Sequence, residues 1–206
     1  MKALVLCNGV PPQQLLIEQL LPGQDLFIAA DGGGNIARQL GVTPDIVIGD
    51  LDSYKQESGE KIHVIKDEDQ ETNDLEKALR YLVAREYREA VILGATGYRL
   101  DHTLKNLSVL KQFNAQFDHI EIREKGGRTF LLPQECELNV AQHTPVSLFP
   151  LSGRVEGVTT KGLKYPLQDD YLENGVRDGS SNIATQGAIT ITYRRGDLLI
   201  YVADSG

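Results

Sequence analysis

A chain of 206 residues accommodates one large or two small domains of the usual size, about 100–150 residues each. With 41% hydrophobic residues it can build a packed core, yet no apolar run approaches the roughly 20 residues needed to span a bilayer. A net charge of −8, from 21 basic and 29 acidic side chains, works against broad electrostatic binding to nucleic acid or anionic lipid. The first seven residues form a short apolar run followed at once by Asn8, Gly9, Pro11 and Pro12, without the longer stretch and cleavage site of a secretory signal. The two cysteines, Cys7 and Cys136, lie far apart without CxxC spacing, so a cytoplasmic protein without structural zinc is expected.

In the first half, apolar β-rich runs alternate with amphipathic helical patterns, the signature of a layered α/β domain with a mainly parallel sheet. Strands are predicted at 2–6, 26–30, 46–48, 61–65, 90–93 and 119–123, and helices near 13–21 and 35–40. Over 73–85, Leu75, Ala78, Leu79, Leu82 and Val83 recur at helical spacing and form one buried stripe. Thr72 or Asn73 is placed to cap that helix, and Lys77 falls beside the stripe. The next helix, starting at Leu100 or Asp101, sets Leu100, Leu104, Leu107 and the stem of Lys111 on one side. His102 and Asn106 project from the other, which is left for chemistry.

From about Lys125 the pattern changes to short strand-like runs separated by Gly, Pro, Asn and Asp. Gly126-Gly127 marks the boundary, giving domains at 1–125 and 126–206. Strands are predicted at 129–132, 136–140, 145–149, 154–159, 188–193 and 198–202, the spacing of a small all-β sandwich or barrel. The polar, glycine-containing segment 168–179 reads as a long loop, and Arg194-Arg195 as a solvated hairpin.

Ligands of open α/β sheets bind outside the carboxyl ends of the strands, so the turns that follow the N-terminal strands are expected to share one crevice. In Gly49-Asp50-Leu51-Asp52-Ser53 two carboxylates leave a strand two residues apart. Such hard oxygen donors suit Mg²⁺, although an isolated D-x-D is more often an ordinary acidic loop. Asp31 with Gly32, Gly33 and Gly34 follows an apolar strand, and its glycines would let backbone N–H groups approach a phosphate. A plain strand-to-helix turn explains that segment equally well. Gly94-Ala95-Thr96-Gly97-Tyr98-Arg99-Leu100-Asp101-His102 joins a flexible turn to an Arg, an Asp and a His at a helix start, where an Arg fork and the helix dipole favour anions. Asp69-Gln70-Glu71-Thr72-Asn73-Asp74 precedes the strongest helix, and an acidic N-terminal cluster complementing the dipole accounts for most of it.

Taken in this order, the four segments resemble the thiamine pyrophosphokinase family, which transfers the terminal diphosphate of ATP to thiamine. Lys77-Ala78-Leu79, Asn106, Val146-Ser147-Leu148-Phe149-Pro150, the run from Gly157-Val158-Thr159 through Tyr165-Pro166-Leu167, and Ser180-Ser181-Asn182 extend the match over roughly residues 25–202. The resemblance implies a Rossmann-like three-layer α/β catalytic domain, a C-terminal β-sandwich that helps bind thiamine, and a homodimer with shared active sites. By motif it assigns Asp50, Asp52 and Asp74 to Mg²⁺, and Asp31, Gly32, Gly33, Arg99, Asp101, His102 and Asn106 to ATP. Gln70, Ser181 and Asn182 are assigned to thiamine. Asp74, Asp50, Asp52 and Arg99 then form the catalytic set, with Asp74 as the expected proton acceptor. Two other readings stay open: a non-catalytic sensor of Mg-nucleotide or thiamine, and diphosphate transfer to another small alcohol. The second is left by Ile183, where many relatives carry an acid, and by the absence of Trp.

Overall fold

Residues 1–204 are described by a computed structural model of the chain. It divides into two units, Met1–Lys125 and a second beginning at Gly126.

The first unit runs β1 (Lys2–Leu6), α1 (Gln14–Leu20), β2 (Leu26–Ala30), α2 (Gly33–Gln39), β3 (Ile46–Gly49), β4 (His63–Lys66), α3 (Asp74–Val83), β5 (Glu89–Leu93), α4 (Leu100–Phe113) and β6 (His119–Glu124). Its strands pair in parallel in the order β6-β5-β1-β2-β3-β4. The chain thus builds outward from β1 to β4, then returns to lay β5 along the other side of β1. The order reverses between β1 and β5, the place where an open sheet offers a crevice at its carboxyl edge. Leu4, Leu6, Phe27 and Leu93 pack with Ile17 of α1 and Ile36 and Ala37 of α2. Because successive strand residues face opposite ways, Ala3, Val5, Ile28 and Ile48 are left for the other face, and α3 packs against β1, β2 and β3.

Helix α3 starts where the sequence signals a cap: the Asn73 side chain accepts the Glu76 N–H at 2.9 Å, with Asp74 and Glu76 in the first turn. Leu75, Ala78, Leu79 and Leu82 are buried as the periodicity requires. Lys77 departs from expectation. It lies beside the stripe yet is buried too, 2% exposed.

Helix α4 reverses the predicted facing. Leu100 and Leu104 are 72% and 56% exposed, and the buried positions are Asn106, Val109, Leu110 and Phe113. A second stripe, 106, 109, 110 and 113, follows the i, i+3, i+4, i+7 pattern over the helix's second half. Val109, Leu110 and Phe113 are the side that packs inward, and Asn106 is carried in with them.

The second unit contains β7 (Gly127–Leu131), β8 (Glu135–Asn139), β9 (Pro145–Pro150), β10 (Val155–Lys161), β11 (Asp170–Leu172), β12 (Gly179–Ile183), β13 (Ala188–Thr192) and β14 (Leu198–Ala203). These form two antiparallel runs, β12-β9-β14-β7 and β11-β10-β13-β8. Phe130, Val146, Leu148 and Ile200 from the first share a core with Val158, Leu172, Ile189 and Ile191 from the second. The segment expected to be a loop holds β11 and opens into β12. Gly-Ser-Ser-Asn-Ile has little intrinsic strand propensity; it becomes a strand because β9 offers an edge to pair with. Asp170 and Arg177 close the intervening turn with an ion pair of 2.5 Å.

Candidate active site

The turns after β1, β2, β3 and β5, together with the start of α3, line a cleft of about 520 Å³. Asp31, Asp50 and Asp74 meet in it, each offering a carboxylate oxygen within 4.8 Å of the others. They come from three separate turns and converge only because β2 and β3 are neighbours and α3 starts above them. Gly49 permits this closeness. A Cβ at that position would lie 2.7 Å from the Asp31 Cβ and 2.9 Å from Asp74 Oδ1.

Asp31 is buried, and its two carboxylate oxygens accept the backbone N–H groups of Ser53 (3.2 Å) and Tyr54 (3.1 Å). It therefore fastens the 50–53 turn to the end of β2. Within the turn, Asp50 accepts the Asp52 N–H at 3.2 Å, and Leu51 takes a left-handed φ of 65°. Asp52 is exposed at the cleft margin, where the Ser53 hydroxyl donates to it at 2.8 Å. The far end of the loop is strapped down by Glu60. Its carboxylate accepts from Arg38 (2.7 and 3.1 Å), the Tyr54 hydroxyl (2.9 Å) and the Glu57 N–H (2.9 Å).

Arg38 above all, then the Glu57 N–H and Tyr54, hold Glu60 down at about 2. A depressed carboxylate contributes stability that is present above its unfolded value and disappears as pH falls through the folded one. Glu60→Gln is expected to lower unfolding free energy at pH 7 by about 1 kcal/mol after allowance for solvent screening. Urea denaturation should show the gap between wild type and variant closing from about pH 4.5 down to about 2.

Asp74 shifts the other way. Burial raises its pKa, and Asp31 and Asp50 add to the rise, opposed by the Lys77 ammonium 3.3 Å from Oδ1. Its ionised form is thereby less favoured than in an exposed aspartate, and a cation beside it would offset that cost. Three converging hard oxygen donors fit a small divalent ion that keeps part of its water shell.

The other predicted residues fall into distinct places. Arg99 and His102 line the cleft. The Arg99 guanidinium is exposed and forks onto Asp101 at 3.1 and 2.5 Å, a pair that raises the Arg pKa and lowers the Asp pKa. Asn106 lines the cleft too, but its amide is engaged: it accepts from Asn73 Nδ2 at 2.8 Å and donates to the Ala95 carbonyl at 2.6 Å. Gly32 and Gly33 serve packing, since a Cβ on Gly32 would lie 2.2 Å from the Asn8 amide and one on Gly33 2.0 Å from the Leu6 carbonyl oxygen. Gln70 is exposed and donates to the Glu68 carbonyl at 3.3 Å.

In the second unit, Asn182 is buried and clamps Tyr165, accepting its N–H at 3.0 Å and donating to its carbonyl at 2.8 Å. Ser181 is exposed with φ 58°.

Two contributors carried no sequence signal of their own: Asn8 and Gly9 line the cleft after β1. Gly49 and Lys77 stood in the motifs already named, Lys77 at i, i+3 spacing to Asp74, but the structure adds that Gly49 spaces the acids and that Lys77 faces Asp74 while buried.

Comparison with known proteins identifies the family. Residues 17–123 match the thiamin pyrophosphokinase catalytic domain and residues 134–198 the family's vitamin B1 binding domain. The thiamine pyrophosphokinase of Bacillus subtilis is 26% identical over 184 residues, covering 85% of this chain and 86% of that protein. Thiamine pyrophosphokinase 1 of Oryza sativa subsp. japonica is 28% identical over 166 residues, 72% of this chain and 62% of that longer protein. The crystal structure of thiamin pyrophosphokinase from Geobacillus thermodenitrificans superposes with a TM-score of 0.85 at 25% identity, covering 100% of this chain and 99% of that one. With both family domains matched in sequence and the whole chain matched in fold, the chain belongs to the thiamin pyrophosphokinase family.

Proposed function

We propose that the chain transfers the terminal diphosphate of ATP to the hydroxyl of thiamine, giving AMP and thiamine diphosphate. The observation that carries this is the convergence of Asp31, Asp50 and Asp74 in a cleft of the family's catalytic domain. Asp31, Asp50 and Asp74 are proposed to hold Mg²⁺, with Asp52 completing the set from the margin. Bound there, the ion supplies neutralisation of the polyphosphate oxygens, the main requirement of phosphoryl-type transfer.

The chain's own groups do the positioning. The thiamine hydroxyl attacks the β-phosphorus as AMP departs in line, and the hydroxyl proton passes to a carboxylate oxygen of Asp74 left outside the cation's shell. Arg99 offsets charge on the polyphosphate or departing AMP once its exposed pairing with Asp101 exchanges, a change that costs little in solvent. His102 and Asn106 shape the ATP side, Asn106 by bridging Asn73 to the 94–97 turn, while Gly32 and Gly33 let the Asp31 turn pack against β1 and Asn8. Gln70, Ser181 and Asn182 are proposed for thiamine, Asn182 acting through the Tyr165 segment that it clamps. An acidic cleft also suits the permanent positive charge of the thiazolium ring.

Helices α1 and α2 on one sheet face with α3 on the other support a Rossmann-like three-layer organisation of the first unit. A core shared by two antiparallel sheets supports a sandwich in the second. The free thiols of Cys7 and Cys136 suit the proposed cytoplasmic setting, and among the described residues no helix is long and apolar enough to cross a membrane. A homodimer with shared sites is proposed with the function; light scattering should give twice the 22.7 kDa of one chain, and a monomer mass would refute it.

Incubation of the purified protein with ATP, Mg²⁺ and thiamine should release AMP and thiamine diphosphate in equal amounts. Formation of ADP would overturn diphosphate transfer, and no turnover would overturn the proposal in favour of a sensor. Faster transfer to a different alcohol in a panel of thiamine analogues would change the acceptor alone.

A further inference from the structure

A lysine is rarely fully buried unless it is paired, yet the Lys77 side chain on α3 is 1% exposed. Among the described residues its one ion-pair partner is Asp74, with Nζ 3.3 Å from Oδ1. The same oxygen lies against Gly49, where an added Cβ would approach within 2.9 Å. The Asp74 carboxyl is therefore gripped between a buried ammonium and a bare backbone, one turn before Lys77 on a helix whose start is fixed by the Asn73 cap. Asp31, the nearest acid across the cluster, is fixed by two backbone N–H groups. Asp74 has no backbone donor of that kind in the hydrogen bonds it makes. Its orientation rests on Lys77.

We propose that Lys77 is a positioning residue for the divalent-cation site: its buried ammonium aims the Asp74 carboxylate at Asp31 and Asp50 and offsets one of the three acidic charges. This rests on the cation-site assignment made above. Two effects of the ammonium oppose each other and so make the idea testable. As a positive charge it repels a cation, and by this effect alone its removal would tighten metal binding. As the partner that orients a ligand it favours binding, and loss of such outer partners typically costs 10–100-fold in metal affinity. The geometry points to orientation as the larger effect.

The experiment measures Mn²⁺ binding by calorimetry and by the electron paramagnetic resonance signal of free Mn²⁺, without nucleotide, in wild type, Lys77→Met and Lys77→Arg. Met fills the buried slot with an apolar chain of similar length, but it leaves the Asp74 carboxyl without its partner, a loss that costs stability. Arg keeps the charge while changing the position of the donors. Both variants are expected to bind Mn²⁺ about tenfold more weakly or worse, with circular dichroism confirming the fold. If Lys77→Met does not fold, Lys77→Arg carries the test alone, because charge is then constant and geometry is the variable. Unchanged or tighter binding in a folded variant would overturn the role of Lys77. Failure of the wild type to bind Mn²⁺ would instead overturn the cation site itself, so the two failures are distinguishable.

Discussion

Asp74→Asn is expected to lower diphosphate transfer by about 10²–10³-fold, the usual effect of removing one preorganised electrostatic group from an active site, while leaving the metal-free fold at least as stable as wild type. Burial comes first among the causes that raise the Asp74 pKa, with Asp31 and Asp50 adding repulsion. For an acid raised in the folded state, ionisation costs stability above the folded value, and that cost is relieved as pH falls through it. A neutral Asn removes the cost at every pH, and its carbonyl still accepts from Lys77. Stability curves of the metal-free protein should therefore rise on acidification in the wild type more than in the variant. Mg²⁺ acts in the opposite direction, since it competes with the proton for Asp74. The Mg²⁺ concentration for half-maximal activity should increase as pH falls. A variant with near wild-type turnover at saturating Mg²⁺ would remove Asp74 from both its ligand and its proton-acceptor roles.

Gly33→Ala is expected to destabilise the protein by about 3 kcal/mol, the upper part of the usual range for overpacking. The added Cβ would stand 2.0 Å from the Leu6 carbonyl oxygen and 2.9 Å from its carbonyl carbon. Both belong to the backbone of β1, so no side chain can swing aside, and α2 must lift from the sheet. Urea midpoints measured with and without ATP and Mg²⁺ check this. A loss of stability of the same size in both conditions marks Gly33 as a packing glycine. A variant as stable as wild type but deficient in nucleotide binding would restore the phosphate-approach reading of this turn.

These two residues show how far the sequence was legible. Asp74 was assigned to the cation through the family resemblance; its local signals, a cap before it and a strong amphipathic stripe after it, mark only a helix start, which an acidic N-terminal cluster serves equally well. Gly33 was noticed for a correct local reason, a glycine-rich turn after a strand, but a phosphate and a neighbouring strand make the same demand on backbone space. Only the position of β1 distinguishes them. Helix α4 is a similar case. Its leucines at 100 and 104 match a helical period, and so does the run Asn106, Val109, Leu110 and Phe113. Which run turns inward depends on the surface against which the helix packs.

The sequence by itself determined the alternation of strands and helices up to Lys125, the change to β structure beyond it, and the motifs that resemble the family. Periodicity, caps and turn residues act over a few neighbouring positions and are written along the chain. The tertiary structure decided what meets in the cleft: Asp31 joins Asp50 and Asp74, Asp52 stays at the margin, Asn106 braces a turn, and Lys77 faces the acids from the protein interior. These relations depend on β2 lying beside β3 and on the bare backbone at Gly49, where a Cβ would stand 2.7 Å from the Asp31 Cβ. Contacts between residues distant in sequence have no local period, so the fold must form before they exist.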